Sequence, residues 1–285
     1  MNIGIIGRGF VGSAVANGFS PSTGYNANIR IYDKDPSRSL NSLEDTVNKS
    51  DFIFLSLPTP SNKDGSISLK ILEDSLNEIN AVNSNSENIV LLRSTVVPGT
   101  SEAFQKKFTN IRIVFNPEFL TERSAYFDFI NQSRVILGGL SEHVEKVANL
   151  YSDRFGSHLP IIKTNFQTAE LIKYMNNCFF ATKVSFMNEM RLVSDASGAD
   201  WETAVDGFIR DGRIGHSHLN VPGHDGKFGF GGVCFPKDIL AMIDLGKKLG
   251  VEMHTLKGAW ETNLKVRPEK DWEKLEGQAV VKKTK

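Results

Sequence analysis

Ile3-Gly4-Ile5-Ile6-Gly7-Arg8-Gly9-Phe10-Val11-Gly12 opens the chain with a short apolar run that breaks at once into a G-x-G-x-x-G turn. A strand followed directly by such a turn and a helical segment is the context in which the motif binds a dinucleotide. The first glycine permits the tight turn, the second lets the backbone approach a pyrophosphate, and the third lets helix and strand pack closely. A second apolar run ends in Asp33, 21 positions after Gly12. A carboxylate there accepts hydrogen bonds from the adenosine ribose and repels a 2′-phosphate, which favours NAD over NADP. Arg38 offers the opposing charge, either for a phosphate or for stacking on adenine.

Outward from that turn, β-branched apolar runs recur at Ile3–Ile6, Ile29–Tyr32, Phe52–Leu57, Ile89–Leu92, Ile111–Phe115 and Val135–Leu137. Their continuous apolar character predicts strands covered on both faces, hence a parallel sheet. Leu69–Ala81 and Ser101–Phe108 are long enough for crossover helices. The fold class expected is α/β, a doubly wound Rossmann-type parallel sheet followed by a smaller, mainly helical domain with a long central helix.

Thr164 and Gln167, at capping-box spacing, predict the start of that helix, which continues to about Ala196 without proline or glycine. Glycine is dense from Gly207 to Gly232, and a helix is expected over Pro236–Leu249. The last stretch, Lys265–Lys285, has 11 charged residues in 21 and reads as a solvated tail or a weakly attached helix. The expected organisation is a nucleotide domain at 1–163, a helical domain at 164–264 and a charged tail at 265–285.

The 285 residues carry 33 basic and 33 acidic side chains, with 40% hydrophobic residues, an ordinary globular composition. A neutral total removes the electrostatic case for nucleic acid or an anionic membrane. With no apolar run of membrane-spanning length and no signal-like start, the expected location is the cytoplasm. Two cysteines, Cys178 and Cys234, make no disulfide framework.

Chemistry-bearing loops fall at successive strand ends, where ligands of open α/β sheets bind: Leu57-Pro58-Thr59-Pro60, Ser94-Thr95-Val96-Val97-Pro98-Gly99-Thr100 and Asn116-Pro117-Glu118-Phe119-Leu120-Thr121-Glu122. In the long helix, Lys173 and Asn177 stand at i and i+4 and share a face; together they suit a developing oxyanion. The alternative is a surface pair beside a core stripe of Leu171, Met175, Phe179 and Phe186. In Gly229-Phe230-Gly231-Gly232-Val233-Cys234-Phe235-Pro236-Lys237-Asp238, Pro236 suits a first helical turn and places Cys234 just before the helix. Helix dipole and Lys237 both favour a thiolate there, and Asp238 lies within reach, whereas Cys178 reads as a core residue. His216, His218, His224 and Asp225 match no strong ligand signature, and no metal is expected.

The segments GRGFVG, LPTP, STVVPGT, NPEFLTE, AELIKYMNN, the RIG at Arg213–Gly215 and GFGGVCFPKD together resemble the UDP-glucose/GDP-mannose dehydrogenase family, from Met1 to about Leu249. That resemblance implies oxidation of a sugar-nucleotide primary alcohol to a carboxylate with two NAD⁺. On matching positions it implies Cys234 as nucleophile, and Lys173 and Asn177 as oxyanion stabilisers. Asp238, Glu118 and a water held by Thr95 would move protons. The cofactor would meet Gly7, Gly9, Phe10, Val11, Gly12, Asp33, Arg38, Thr59, Thr95, Glu122 and Lys237. The sugar nucleotide would meet Glu118, Phe119, Leu120, Lys173, Asn177, Phe230 and Gly231, and Arg213 would reach a neighbouring subunit's substrate in a homodimer. The sequence ends 51 residues after Cys234, too soon for the second α/β domain that family members usually carry, while Gly223–Lys227 lengthens the substrate loop. UDP-glucose is the expected substrate; GDP-mannose, a UDP-N-acetylhexosamine, single-hydride alcohol oxidation and an inactive NAD-binding or partner subunit are the alternatives.

Overall fold

The computed structural model describes residues 1–282. The chain forms two compact units, one of residues 1–59 and 69–173, the other of residues 60–68 and 174–285.

The first unit is built on a seven-stranded sheet. Its strands are β1 (Asn2–Ile6), β2 (Asn28–Tyr32), β3 (Phe52–Leu55), β4 (Ile89–Leu92), β5 (Arg112–Phe115), β6 (Val135–Gly139) and β7 (Ile161–Thr164), in the order β2-β1-β3-β4-β5-β6-β7. Helices α1 (Phe10–Gly18), α2 (Leu43–Asn48), α3 (Lys70–Val82), α4 (Thr100–Lys107), α5 (Ala125–Ile130) and α6 (Ser141–Phe155) connect them. Two cores explain the continuous apolar runs. Ile3, Ile5, Phe54, Leu91, Val114 and Leu137 belong to one, while Ile6, Ile53, Leu55, Val90, Ile113 and Ile136 belong to the other. Successive strand residues face opposite sides, so a sheet covered on both faces needs apolar residues throughout. Each fully buried side chain of this size contributes roughly 1.5–3 kcal/mol.

One strand departs from the all-parallel expectation: β6 runs antiparallel to β5, with Val114 opposite Gly139, and β7 then pairs parallel to β6. The link through α5 leaves β5 and enters β6 at the same end of the sheet, so no crossover is required. Gly18 of α1 lets α5 close on it, since a Cβ there would lie 2.2 Å from the Phe129 ring.

The long helix α7 (Phe166–Ser197) starts in the first unit and continues into the second. Its cap is Asn165, whose Oδ1 accepts the Thr168 amide at 2.8 Å, rather than Thr164, which ends β7. The boundary between units therefore falls after Lys173 instead of at 163, because Phe166 and Ala169 are part of the second sheet core.

The second unit adds α8 (Trp201–Ile209), α9 (Phe235–Leu249) and α10 (His254–Val266). Two further departures occur on this side. Met175, Phe179 and Phe186, read as a core stripe, are 62%, 63% and 45% exposed, whereas Lys173 and Asn177 are buried. The described part of the stretch read as a solvated tail or a weakly attached helix, residues 265–282, is docked: Trp272 is buried with its ring 5.4 Å from Trp260, and Ser61 exchanges backbone hydrogen bonds with Ala279 and Val281 at 2.9 and 3.0 Å. A few apolar side chains among the charges, together with pairing of Arg267 to Asp225 and Asp271, account for it.

Candidate active site

In the first unit, β1 delivers the chain into the glycine turn, where Gly7 has φ +90°. A Cβ on Gly7 would lie 2.3 Å from the Ser56 carbonyl oxygen, and one on Gly12 would lie 2.1 Å from that of Gly7. A Cβ on Gly9 meets nothing within 4 Å. The first and third glycines are thus required by the protein's own packing, and the second faces a cradle open to a ligand at the N-terminus of α1, where Phe10 and Val11 form the first turn. Asp33 closes the turn, accepting the Arg8 amide at 2.7 Å and the Asp35 amide at 2.9 Å. Arg38 is exposed and pairs with Asp35 at 3.4 Å.

The LPTP and STVVPGT loops are laced together. Thr59 Oγ1 donates to the Thr95 carbonyl at 2.8 Å, and Ser94 Oγ accepts the Leu57 amide at 3.0 Å. Glu170, not flagged by the sequence, accepts the Gly99 and Ser101 amides at 2.6 and 2.7 Å and ties α7 to the loop that carries Thr95. Burial outweighs these amides and pushes its carboxyl up to about 7.

Lys173 Nζ donates to Glu118 twice, to its carbonyl oxygen at 2.6 Å and to Oε1 at 3.0 Å, with side chains 4% and 9% exposed. Burial pushes the Glu118 carboxyl up, but the Lys173 ammonium, the Leu120 amide and the Arg93 charge together hold it below the usual carboxylate range. A cleft of about 220 Å³ beside it is lined in part by Glu118, Phe119, Leu120 and Arg134, with Arg134 stacked 4.2 Å from the Phe119 ring centre. Glu122 begins an exposed single turn, Glu122–Ser124.

In the second unit, Cys234 is partly exposed and is the N-cap residue of α9. Asp238, one turn into that helix and 1% exposed, donates its amide to the Cys234 carbonyl at 3.0 Å. Its carboxylate accepts from Asn177 Nδ2 and from Lys237 Nζ, both at 2.5 Å. The helix N-terminus favours an anion at position 234. Lys237 Nζ, which the sequence places near that thiol, pairs with the Asp238 carboxylate. Cys178 is buried, and burial followed by the Asp238 charge pushes its thiol up, consistent with a core role.

The sequence placed Lys173 and Asn177 together, and each proves to have its own carboxylate, Glu118 and Asp238 respectively. Phe230 is buried and Gly231 half-buried in the loop before Cys234. Arg213 is not brought to any of these residues; its side chain is 90% exposed and pairs with Asp211. His218 stacks on Phe180 at 4.1 Å, Asp225 pairs with Arg267, and among the described residues no three metal-ligating side chains gather.

The sequence profile of the UDP-glucose/GDP-mannose dehydrogenase family, NAD binding domain, matches residues 30–154, and that of the family's central domain matches residues 167–265. The chain is 32% identical over 306 residues to the UDP-glucose 6-dehydrogenase AglM of Haloferax volcanii, covering 92% of this chain and 69% of that protein. It is 34% identical over 234 residues to the UDP-glucose 6-dehydrogenase TuaD of Bacillus subtilis, covering 80% and 49%. A UDP-glucose dehydrogenase from Pyrobaculum islandicum superposes with a TM-score of 0.78 at 28% identity, over 92% of this chain and 67% of that one. The chain spans about half the length of most of the curated relatives it matches.

Proposed function

Because this chain belongs to the UDP-glucose/GDP-mannose dehydrogenase family, with its NAD-binding domain in the first unit, we propose that it oxidises the primary alcohol of a nucleotide sugar to a carboxylate, with UDP-glucose as substrate. The observation that carries this proposal is Cys234 at the head of α9, with the buried Lys237 and Asp238 in that helix's first turn and Asn177 of α7 donating to Asp238. Single-hydride oxidation of an alcohol has no use for a thiol so placed.

The open face of Gly9 fits a pyrophosphate, and Asp33 fits an adenosine ribose. We assign the remaining cofactor contacts to Phe10, Val11, Arg38, Thr59, Thr95, Glu122 and Lys237. NAD⁺ would supply the hydride acceptor, two molecules binding in succession and each taking one hydride. Glu118, Thr95 with a water, and Asp238 take protons from the reacting hydroxyls. Once the alcohol has become an aldehyde, the Cys234 sulfur adds to its carbon and the oxygen gains a proton, giving a thiohemiacetal. Lys173, which has three N–H donors of which Glu118 occupies two, and the Asn177 amide steady the negative oxygen. Loss of the second hydride and the hydroxyl proton leaves a thioester; water then attacks its carbon, the C–S bond breaks, one water proton goes to the sulfur and the other to solvent, and carboxylate and thiol are released. Phe119, Leu120, Phe230 and Gly231 are assigned to the sugar nucleotide.

NADH formation from NAD⁺ with UDP-glucose, GDP-mannose and UDP-N-acetylglucosamine in separate reactions tests the assignment, with turnover expected on UDP-glucose. Turnover on either of the others alone overturns the substrate. Gly9→Val is expected to leave the chain folded, since a Cβ there meets nothing within 4 Å and the poorer N-cap costs only ~1 kcal/mol, while weakening NAD by roughly tenfold or more, equivalent to ~1.4 kcal/mol per decade. Equal NAD affinity in calorimetry would remove the cradle.

The exposed stripe Met175, Phe179, Phe186, Met190 and Val193 lies on one face of α7 at helical spacing. We propose that a second copy of the chain covers it about a twofold axis, bringing Arg213 to the neighbouring subunit's site. Phe179→Asp should then convert a dimer to a monomer in sedimentation equilibrium; a wild-type monomer at all concentrations excludes the pairing.

A further inference from the structure

The glycine-rich loop that leads into Cys234 is held by side chains that the proposed chemistry does not use. Asn263 of α10, fully buried, accepts the Phe230 amide at 2.7 Å and donates to the Phe230 carbonyl at 3.0 Å. One turn on, Arg267 is 3% exposed. Its guanidinium bonds both Asp271 oxygens at 2.9 and 2.6 Å, Asp225 at 2.6 Å and the Phe228 carbonyl at 3.3 Å. Lys227, two residues after Asp225, pairs with Glu269 at 3.0 Å. A bidentate Arg–carboxylate fork is rigid as well as strong, and a buried one is little screened.

The loop's glycines match this clamp. A Cβ on Gly229 would lie 2.4 Å from Asn263 Oδ1, and one on Gly231 would lie 2.7 Å from Arg267 Nη2 and from Asp271 Oδ1. Main chain and clamp are in van der Waals contact three residues before the cysteine. Phe230, anchored from both backbone sides, also packs its ring against Phe235 at 6.1 Å and Trp260 at 6.3 Å, so the residues flanking Cys234 are fixed on each side.

We propose that Arg267 and Asn263, with Asp225 and Asp271 as Arg267's partners, are positioning residues that set the main-chain path of Gly229–Gly232 and through it the presentation of the Cys234 thiol. The segment after α10 is thereby a strap on the cysteine loop, latched at Asp225. The clamp deepens the proposed function, since it acts on the residue to which that function assigns bond formation, yet it can be tested whether or not turnover is ever found.

The test is the second-order rate of Cys234 alkylation by iodoacetamide, read at that residue by peptide mass spectrometry, in the full chain and in Asp225→Asn, Arg267→Gln and Arg267→Lys. Asp225 is a loop residue with a side chain 34% exposed, so Asp225→Asn keeps the fold even if Arg267→Gln does not. Asp225→Asn is expected to change the alkylation rate at least fivefold while leaving NAD affinity unaltered. Arg267→Lys keeps the charge but not the fork, and is expected to behave like Arg267→Gln. Rates matching the unmodified chain in folded Asp225→Asn and Arg267→Lys overturn the proposal. A wild-type protein that never turns over a sugar nucleotide, but whose thiol reactivity follows these variants, sinks the proposed function and leaves the clamp standing.

Discussion

Cys234→Ala is expected to abolish acid formation, with kcat falling on the order of 10³-fold or more, as removal of a covalent nucleophile does. NAD affinity should stay within about twofold of the parent, because none of the contacts assigned to the cofactor is made by position 234, and substitutions away from such contacts change free energies by less than ~0.5 kcal/mol. The size of the effect follows from the chemistry. Without the sulfur the aldehyde has no covalent anchor, so the second oxidation depends on an intermediate that can diffuse away. Any residual activity should stop at the aldehyde, one NADH per sugar. Cys178→Ala supplies the control: its sulfur is buried in the core, and it should lower stability without changing the products. Retention of acid formation in Cys234→Ala would remove the nucleophile assignment.

Lys173→Ala is the second large effect, on stability as well as rate. It leaves the buried Glu118 without its ammonium, and breaking a buried pair from one side costs about 3–5 kcal/mol. In a unit of this size that lowers the melting temperature by roughly 2–4 °C per kcal/mol. The pH dependence carries a distinctive sign. In the native chain the Glu118 carboxyl titrates below its ordinary value, so its contribution is complete above the unfolded value of ~4.3 and is lost as pH falls through the lower folded value. With Lys173 gone, burial dominates and pushes the carboxyl up. Stability is then greatest in acid and declines as pH rises. Melting temperatures between pH 3 and 8 separate the two slopes, and Glu118→Gln in the Lys173→Ala background should restore part of the loss. A Lys173→Ala chain with native stability and native slope would mean that the pair is not what holds Glu118.

Much of the first unit was legible because its signals are local. A β-branched run both faces of which are buried has no competing periodic pattern, and the glycine turn follows β1 immediately. Strand ends moved by a residue or two, as with Phe52–Leu57 closing at Leu55, since a proline-bounded loop continues the apolar run beyond the ladder. The reversal of β6 was invisible because direction depends on where a connection ends in space, which apolar patterning does not encode. On α7 the pattern misled: a stripe of Met175, Phe179 and Phe186 has the periodicity of a core face, and periodicity cannot distinguish a face covered by the same chain from one that the chain leaves exposed.

The site shows the same division. Lys173, Asn177, Glu118, Asp238 and Cys234 could each be picked out from neighbouring residues, but the pairing of Lys173 with Glu118 and of Asn177 with Asp238 joins positions 55 and 61 residues apart. Arg267 and Asn263 escaped notice for a different reason. They stand in or beside a charge-rich stretch whose composition is that of a solvated surface, and only burial reveals their task. Glu170 sat unremarked within AELIKYMNN, because a carboxylate that holds two backbone amides has the same sequence appearance as one in water.

The number of NADH molecules formed per UDP-glucose consumed, followed to completion with excess NAD⁺, probes the thiol-centred oxidation most directly. Two per sugar, with a glucuronate product, is the predicted result. One per sugar with aldehyde accumulating, or none while NAD still binds, would contradict it.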